Sequence, residues 1–339
     1  MSRVAVVGAG MAGLACARGL AASGHAVRLF DKGRGVGGRI ATRRLDGIAF
    51  NHGAQWATGR DPAFVALLSA WQRDGVASPW PAATGDGEPR WVGVPSMTAL
   101  PRALADADIA LRRHVSFLHR EPGGWMLRHT DAALAAPGSV GGPGGDQGGD
   151  QGSELAGPFD RVALALPSPQ AAALLRAIGH DFHDFADAAA SATYAPCWSV
   201  LAAFADRVPG PDVLREAGDA LGWMARESSR PGALMVPGRD AWTLHATGDW
   251  SRAHLEDEPA SVIAALLAAF AARTGATGAP LSVAAHRWRY AKVERALGQP
   301  CLWDAARSLG ACGDWCLGGR VEAAFMSGQA LAAAMSGGT

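Results

Sequence analysis

The stretch RVAVVGAGMAGLACARGLAASGHAVRLFD, residues 3–31, decides the fold. Its short valine-rich start, residues 3–8, predicts a buried parallel strand. Residues 11–23 then carry small and apolar side chains at helical spacing, and Gly24 marks the end of that predicted helix. Residues 26–31 predict a second strand, so the whole stretch is typical of a compact βαβ unit.

Three glycines occupy the turn between the first strand and the helix. Gly8 permits the tight turn, Gly10 lets the backbone approach a pyrophosphate, and Gly13 lets the helix pack close to the strand. The helix N-terminus offers N–H groups and a positive dipole end to a phosphate. Asp31 ends the second strand about 20 residues on, where an acid reaches the ribose hydroxyls of a dinucleotide. Because the GxGxxG pattern lies in this context, it predicts a dinucleotide-binding site.

The composition limits the number of domains, the partners and the metal sites that can be expected. A chain of 339 residues predicts two domains, at roughly 100–200 residues each. Equal numbers of basic and acidic residues, 31 of each, give no indication of a nucleic-acid partner. The five cysteines fit neither a disulfide framework nor a zinc site, and the histidines are scattered, so we expect free thiols, no metal site and a cytoplasmic protein. The longest later apolar run, residues 260–272, is shorter than the roughly 20 residues that span a bilayer, so no membrane partner is expected.

The rest of the chain predicts a second, different domain. Residues 190–290 interleave tryptophans with strand-like runs such as SVLAAF and WTLHAT, which indicates a mainly antiparallel sheet, with one covering helix at residues 259–273. Residues 137–158 are dominated by glycine and predict a mobile loop or a hairpin tip. Residues 309–320 are loop-like. Residues 321–335 predict a strong apolar helix, whose middle we expect a glycine to weaken.

Several further segments carry a resemblance to a known family. They are DKGRGVGGRIATRR (31–44), NHGAQWAT (51–58), WVGVPSMTALPRAL, FDRVALALPSPQAAALL, WTLHATGDWSRAHLE, AHRWRYA and CGDWCLGGRVEAAF. In this order they resemble the renalase family, in the amine oxidase branch of the glutathione-reductase-like flavoproteins. The resemblance covers nearly the whole chain except the glycine-rich segment. Asn51 stands where the family usually has an acid, and Trp56 where it usually has a smaller aromatic residue.

The resemblance implies an α/β fold in two parts. One is a discontinuous Rossmann-type FAD-binding domain, and the other is a smaller α+β substrate domain with a mainly antiparallel sheet. The FAD-binding domain is expected to comprise residues 1–60, 96–178 and 295–339, with the glycine-rich loop 137–158 inside it. The substrate domain is expected to comprise residues 61–95 and 179–294.

The resemblance also implies FAD, held non-covalently. The Gly37–Gly38 pair would let the chain pass close to the dinucleotide, with Arg39 near the pyrophosphate, because a guanidinium suits bidentate phosphate contact. Gly313–Asp314 would meet the ribityl and phosphate region. The following helix would direct its N-terminus to the flavin N1–C2 edge, where reduced flavin gathers negative charge. The predicted cofactor-binding residues are Gly8, Gly10, Ala12, Gly13, Asp31, Lys32, Gly38, Arg39, Ala54, Gln55, Val115, Gly313, Asp314, Val321, Glu322 and Ala323.

The activity implied is the oxidation of dihydronicotinamide isomers, whose hydride lies at the 2- or 6-position of the ring. The products would be NAD(P)+ and, with O2 as acceptor, hydrogen peroxide. Because a planar ring has to stack on the flavin, catalysis would be mostly positioning. Gln55, His245, Trp288 and Tyr290 are the predicted walls of a flat substrate pocket, although ordinary core packing explains each aromatic side chain as well.

Alternative activities remain open at the level of the sequence. One is an FAD amine oxidase or desaturase of another small substrate. Many amine oxidases place a lysine, through a water, at the flavin N5 atom. Apart from Lys32, which is predicted at the adenosine end, only Lys292 is available for that role. The other two alternatives are a non-catalytic FAD-binding protein and an NAD(P)-dependent dehydrogenase.

Overall fold

The computed structural model describes residues 1–84, 87–133, 152–215 and 220–337. The chain divides into two compact units. The first comprises Met1–Gly38, Pro101–Thr193 and Val293–Thr339, and the second comprises Arg39–Leu100 and Tyr194–Lys292. Residues 39–60 thus group with the second unit and residues 179–193 with the first, whereas the sequence predicted the opposite for both. Most of the predicted glycine-rich loop, residues 134–151, lies outside the described residues.

The described residues form the following strands and α-helices. The strands are β1 (Arg3–Val7), β2 (Ala26–Asp31), β3 (Arg43–Leu45), β4 (Ile48–Phe50), β5 (Ala77–Pro79), β6 (Trp91–Gly93), β7 (Asp108–Leu111), β8 (Arg113–Glu121), β9 (Gly124–Asp131), β10 (Ser153–Phe159), β11 (Arg161–Leu164), β12 (Thr193–Phe204), β13 (Val213–Arg215), β14 (Leu221–Arg226), β15 (Asp240–Ala246), β16 (Ser282–Arg295), β17 (Leu302–Asp304) and β18 (Leu309–Ala311). The α-helices are α1 (Met11–Ala22), α2 (Pro62–Arg73), α3 (Ala99–Arg102), α4 (Ser168–Ile178), α5 (His183–Ala190), α6 (Gly248–Ala253), α7 (Pro259–Thr274), α8 (Asp314–Leu317) and α9 (Val321–Met335). No helix within the described ranges is long and apolar enough to cross a bilayer.

The first unit is built on a six-stranded sheet in the order β17-β18-β11-β1-β2-β7. All neighbours in it run parallel except β17, which is an antiparallel edge strand. Val4 and Val6 of β1 are fully buried, because a strand in the middle of a parallel sheet is covered on both faces. β1, α1 and β2 confirm the predicted βαβ unit. A separate antiparallel sheet has the order β10-β9-β8.

The second unit contains a five-stranded sheet in the order β13-β14-β15-β12-β16. The pairs β12–β15, β13–β14 and β14–β15 are antiparallel, which confirms the mainly antiparallel sheet predicted here. Helix α7 covers the sheet: its Leu266 and Phe270 pack into one buried cluster with Trp198 and Trp242 of the strands. The predicted covering helix is therefore confirmed, and part of the tryptophan content of this region forms its core.

Two segments predicted as loops contain regular structure. Residues 309–320 include β18, which extends the parallel sheet beside β11, and the short helix α8. Residues 153–158 belong to β10, which pairs antiparallel with β9. The loop prediction for residues 309–320 was wrong, and β10 extends into the segment predicted as a mobile loop or a hairpin tip. Such short runs carry little periodicity, and their strand pairing depends on partners that are distant in the sequence.

Helices α1 and α9 of the first unit pack together through glycines. A Cβ on Gly328 would lie 2.1 Å from the carbonyl oxygen of Ala12, and one on Gly19 would lie 2.7 Å from the Cβ of Ala332. The two backbones approach this closely only because these positions lack a side chain. Gly328 was expected to weaken α9, but it is required for this contact, which offsets its poor helix propensity.

The substitution Gly328→Ala tests this packing. Alanine improves helix propensity by about 1 kcal/mol. Its methyl group would press on the Ala12 backbone, which cannot yield as a flexible side chain would, and such overpacking costs about 1–3 kcal/mol or more. We therefore expect a net loss in the free energy of unfolding, measured by urea denaturation. Gly278→Ala is the control, because a Cβ there meets nothing within 4 Å; a Gly328→Ala protein of wild-type stability would contradict the packing argument.

Candidate cofactor and substrate sites

Two glycines of the N-terminal turn are required by the packing of the protein itself. Gly8 has φ +108°, and its N–H donates to the carbonyl of Phe30 at 2.8 Å. A Cβ on Gly8 would lie 2.3 Å from the Ala165 carbonyl oxygen. A Cβ on Gly13 would lie 1.8 Å from the carbonyl oxygen of Gly8. Neither position therefore tolerates a side chain, whether or not a ligand is bound.

Gly10, in contrast, has open space in front of it. A Cβ there would meet only the carbonyl oxygen of Gly37, at 4.0 Å. Gly10 is the N-cap residue of α1, whose first turn has no side-chain cap and no acidic residue. The absent side chain and the unsatisfied N–H groups leave a concave, electropositive place at the helix N-terminus. These residues fit the pyrophosphate of a dinucleotide.

Asp31 shapes the same turn. Its two carboxylate oxygens accept the N–H groups of Ala9 and Gly33, both at 2.6 Å. Gly37 donates its N–H to the carbonyl of Ala9 at 2.8 Å, and Gly38 has φ +53°. Each oxygen of Asp31 can accept a further hydrogen bond, so the predicted ribose contact is compatible with this role. Lys32, the next residue of the predicted set, is exposed.

The remaining predicted cofactor residues of the first unit lie on β8 and at the start of α8 and α9. Gly313 donates its N–H to the Ser327 Oγ at 3.0 Å, a contact that no local sequence pattern predicts. Helix α9 begins without a side-chain cap, and Glu322 in its first turn is 3% exposed and lies 3.5 Å from Arg320. The other buried members of the set are Ala12, Val115, Asp314 and Ala323, whereas Val321 is half-buried.

The side chain of Gln55 is a buried hydrogen-bonding centre of the second unit. Its Nε2 donates to the carbonyls of Asn51 at 2.5 Å and Gly53 at 2.9 Å. Its Oε1 accepts the Trp223 Nε1–H at 3.1 Å and a guanidinium N–H of Arg230. An amide has two hydrogens and two acceptor sites, so the protein uses the full capacity of this side chain. Its geometry suits positioning of its neighbours, and the predicted substrate contact of Gln55 stays a prediction.

His245 lies next to this centre on β15. Its Nε2 is 3.1 Å from the carbonyl oxygen of His52 and 3.3 Å from the Gln55 Nε2. Because both hydrogens of that Gln55 nitrogen are used elsewhere, the His245 Nε2 must carry a hydrogen and donate it to the carbonyl. Burial lowers the pKa of His245 to about 4, so the imidazole is neutral at pH 7.

An aromatic wall, formed by His52, His286 and Trp288, adjoins His245. The ring centroids of His52 and Trp288 are 5.0 Å apart, those of His286 and Trp288 are 4.2 Å apart, and the Trp288 Nε1 donates to the His52 carbonyl at 2.9 Å. Burial, followed by the neighbouring His286, lowers the pKa of His52 to about 3. Burial also lowers the pKa of His286. The wall is thus uncharged at neutral pH.

The sequence reasoning missed His52 and His286. A signal was available for both: His52 stands in the NHGAQWAT segment, and His286 alternates with Trp288 on β16. Alternation along a strand places His286, Trp288, Tyr290 and Lys292 on one face. The Tyr290 ring contacts the Tyr194 ring at 5.7 Å, whereas Lys292 is exposed near the end of the strand.

Arg39 is held against β16 within the second unit. Its Nη1 donates to the carbonyls of Tyr290 at 3.3 Å and Ala291 at 3.5 Å, and its guanidinium lies 5.8 Å from the Tyr194 ring centroid. The backbone carbonyl of Arg39 accepts the Ala54 N–H at 2.9 Å. The predicted contact of Arg39 with a pyrophosphate stays a prediction, and so does the role of Ala54.

Asn51 stands where the resemblance predicts an acid, and the contacts of its side chain suit an amide. Its side chain donates to the Glu227 Oε2 at 2.8 Å, and its N–H lies 3.2 Å from the Oε1 of the same residue. Glu227 is 1% exposed and pairs with Arg230 at 2.9 Å. A carboxylate at position 51 would face this buried carboxylate, and like charges at such a distance strongly oppose ionisation of both.

An arginine–tryptophan cluster lies beside Gln55. Its members are Trp56, Trp80, Trp223, Arg90, Arg215 and Arg230. The rings of Trp56 and Trp223 are 4.7 Å apart. The guanidinium groups of Arg215 and Arg90 lie 5.1 Å and 5.4 Å from the Trp56 ring centroid. Trp56, larger than the residue usual in the family, thus supplies an aromatic face on which cations rest.

A comparison of Gly10→Ala with Gly13→Ala distinguishes a glycine needed for ligand binding from a glycine needed for packing within the protein. A Cβ at Gly10 clashes with nothing in the protein, so we expect the apoprotein to lose less than about 1 kcal/mol of stability, through poorer N-capping. The same methyl group would occupy the place of a pyrophosphate, so FAD binding should weaken about ten- to hundredfold. Gly13→Ala should instead destabilise the apoprotein itself. Equilibrium dialysis with FAD and urea unfolding measure both quantities; undiminished FAD affinity in Gly10→Ala would contradict the assignment.

The buried histidines predict a pH dependence of stability. His245 in the folded chain binds a proton only near pH 4, whereas in the unfolded chain it does so near pH 6.5, so the unfolded state binds more protons between these values. Stability should therefore be full above pH 6.5 and fall as the pH drops toward 4, by about 1.4 kcal/mol per pH unit for this one group. In His245→Gln this slope, from urea unfolding at several pH values, should decrease. The comparison at pH 8 is the control, and an unchanged slope would contradict the burial of a neutral His245.

Comparisons with known proteins agree with this fold. A family model described as an NAD(P)-binding Rossmann-like domain matches residues 6–71. A 4,4'-diapophytoene desaturase (4,4'-diaponeurosporene-forming) of Staphylococcus haemolyticus is 52% identical over 50 residues, which are 15% of this chain and 10% of the desaturase. The corresponding protein of Staphylococcus aureus strain Newman is 45% identical over 51 residues, again 15% of this chain and 10% of that protein. The chain thus matches only about a tenth of the length of these curated relatives.

Solved structures resemble the chain over nearly its whole length. A protein of Exiguobacterium sp. 255-15 assigned as a protoporphyrinogen oxidase has a TM-score of 0.70 at 13% identity and covers 99% of both chains. Putrescine oxidase bound to putrescine has a TM-score of 0.64 at 15% identity and covers 98% of both. The predicted α/β Rossmann-type fold is therefore confirmed. Together the comparisons show a fold similar to the folds of a putrescine oxidase and of a protein assigned as a protoporphyrinogen oxidase, and a short segment similar to a desaturase.

Proposed function

We propose that the chain is an FAD-dependent oxidase of the renalase type, which oxidises 2- or 6-dihydro-NAD(P) to NAD(P)+ with O2 as acceptor. The observation that carries this proposal is the uncharged aromatic wall beside the neutral His245, with arginines around it. A planar, weakly polar ring stacks well on such a wall. The arginines suit the phosphates that a dinucleotide carries and that a small amine lacks.

The residues of the second unit would act by positioning. FAD, when bound, supplies the two-electron acceptor at N5 and passes the electrons to O2, which yields hydrogen peroxide. The Trp288 ring is fixed by the bond from its Nε1 to the His52 carbonyl, so its face is preorganised. Gln55 fixes the segment that carries this carbonyl, because its amide binds Asn51 and Gly53 on either side. Oxidation of a dihydronicotinamide needs no side-chain base, and the neutral histidines offer no charged one.

The charge around the wall discriminates against amines. Besides the arginines of the arginine–tryptophan cluster, Arg43 lies close enough to the wall to lower the pKa of His286, after burial itself. The carboxylates found among the described residues of this region are paired: Glu227 with Arg230 at 2.9 Å and Glu88 with Arg90 at 2.8 Å. A protonated amine would meet a positive potential here, whereas phosphates are attracted.

The alternative is an FAD amine oxidase or desaturase of another small substrate. The likeness in fold to putrescine oxidase and the identity with the desaturase segment favour that broader class. The exposed position of Lys292 does not resemble a lysine enclosed in an active site.

The five free thiols suit a reducing compartment, and we place the reaction in the cytoplasm.

Anaerobic mixing with substrate tests the proposal. The FAD-loaded protein should lose the visible absorption of oxidised flavin with 2- or 6-dihydro-NAD(P), because the hydride lies at a ring carbon that can face N5. Admitting O2 should restore the absorption and produce hydrogen peroxide. The ordinary 4-dihydro isomer is the matched control, and we expect it to reduce the flavin more slowly since its hydride lies elsewhere on the ring.

The outcomes of this experiment separate the candidate functions. Reduction by small amines, and not by the dihydronicotinamides, would replace our proposal by an amine oxidase, and Lys292→Met would then show whether the lysine takes part. Bound flavin that no substrate reduces would indicate a non-catalytic protein. A protein that takes up no FAD, yet oxidises or reduces substrates with NAD(P), would be a dehydrogenase.

A further inference from the structure

Arg215, at the end of β13, lies over two aromatic rings. Its guanidinium lies 5.1 Å from the Trp56 ring centroid and 5.4 Å from that of Trp223. One of its N–H groups donates to the carbonyl of Ala83. Arg215 is nevertheless exposed to solvent. A guanidinium has five N–H donors in a planar fork, and this fork matches the geometry of a phosphate.

Arg215 differs in its ion-pair contacts from the other arginines in the cluster. Arg90 pairs with Glu88 at 2.8 Å, and Arg230 pairs with Glu227 at 2.9 Å. In the part of the chain that the structure describes, Arg215 contacts two rings and a carbonyl but no carboxylate. An anion is the kind of ligand that this guanidinium suits.

A short series of contacts connects Arg215 with His245. Arg215 and Trp223 are opposite each other in the β13–β14 pair, and Trp223 is opposite His245 in the β14–β15 pair. The Trp223 Nε1 donates to the Gln55 Oε1 at 3.1 Å, and the Gln55 Nε2 lies 3.3 Å from the His245 Nε2. Two adjacent strand spacings, of about 5 Å each, separate the three strands. A ligand whose ring lies beside His245 can therefore reach Arg215 with a phosphate, two strand spacings away.

We infer that Arg215, which lies over Trp56 and Trp223, binds a phosphate of the nicotinamide dinucleotide substrate and thereby selects phosphorylated dihydronicotinamides over unphosphorylated ones. This inference rests on the proposed function, because it concerns the same substrate. Arg215 is a specificity-determining residue, remote from the reacting ring. Its contribution should therefore fall on substrate binding and not on the rate of flavin reduction once substrate is bound.

The substitution Arg215→Gln tests this role, with Arg239→Gln as the matched control. Arg239 is an exposed arginine of the same unit, so its loss changes the net charge equally. Stopped-flow flavin reduction gives the apparent Kd and the limiting rate for 6-dihydro-NAD and for the unphosphorylated 6-dihydronicotinamide riboside. Arg215→Gln should raise the Kd for the dinucleotide about tenfold or more and leave that for the riboside and both limiting rates unchanged. Arg239→Gln should behave as the wild type.

Two further measurements guard against misfolding of the variant. Arg215→Lys keeps the charge and loses the planar fork, so it should recover only part of the dinucleotide affinity. Calorimetric titration with NAD+ measures phosphate-dependent binding without any flavin reduction. A selective loss of NAD+ affinity in Arg215→Gln upholds the inference even if no dihydronicotinamide reduces the flavin, which would overturn the proposed function alone. Equal effects of Arg215→Gln on dinucleotide and riboside, or no effect on either, would overturn the inference.

Discussion

Within each unit, some backbone segments lie so close together that no Cβ fits between them. The candidate sites depend on this steric constraint. In the first unit, a methyl group at Gly13 would lie 1.8 Å from the Gly8 carbonyl oxygen, and one at Gly328 would lie 2.1 Å from that of Ala12. In the second unit, one at Gly53 would lie 1.9 Å from the Arg39 carbonyl oxygen. These approaches set the N-terminal turn, seat α9 on α1 and fix the segment that carries His52 and Gln55.

The buried, hydrogen-bonded side chains of Gln55 and Glu227 give the second unit its chemical character. All the hydrogen-bonding groups of the Gln55 amide bind protein partners, and the buried Glu227 forms an ion pair with Arg230. Left without such partners, these groups would cost several kcal/mol each. With them satisfied, desolvation leaves His52 and His245 neutral, so the aromatic wall has polar edges but no charge. Arginines outside the wall supply the charge of the region instead.

The residues that sequence reasoning identified correctly are those whose role is local. The βαβ unit and the covering helix of the second unit were predicted because hydrophobic periodicity and glycine spacing are properties of contiguous segments. β18, β10 and the role of Ser327 were missed, because each depends on a partner far along the chain. Gln55 was identified as a site residue, but nothing local indicated that Trp223 and Arg230 would occupy its carbonyl oxygen.

The sequence by itself determined the dinucleotide turn, the two kinds of sheet and a resemblance to one flavoprotein family. Those features follow from backbone geometry and side-chain periodicity, which neighbouring residues set among themselves. Only the tertiary structure decided which side chains meet around His245. It also decided that the Asn51 amide faces Glu227 and that Arg215 lies over the Trp56 ring. Charge state, hydrogen-bond saturation and stacking are properties of side chains brought together by long-range packing, and one-dimensional spacing does not encode them.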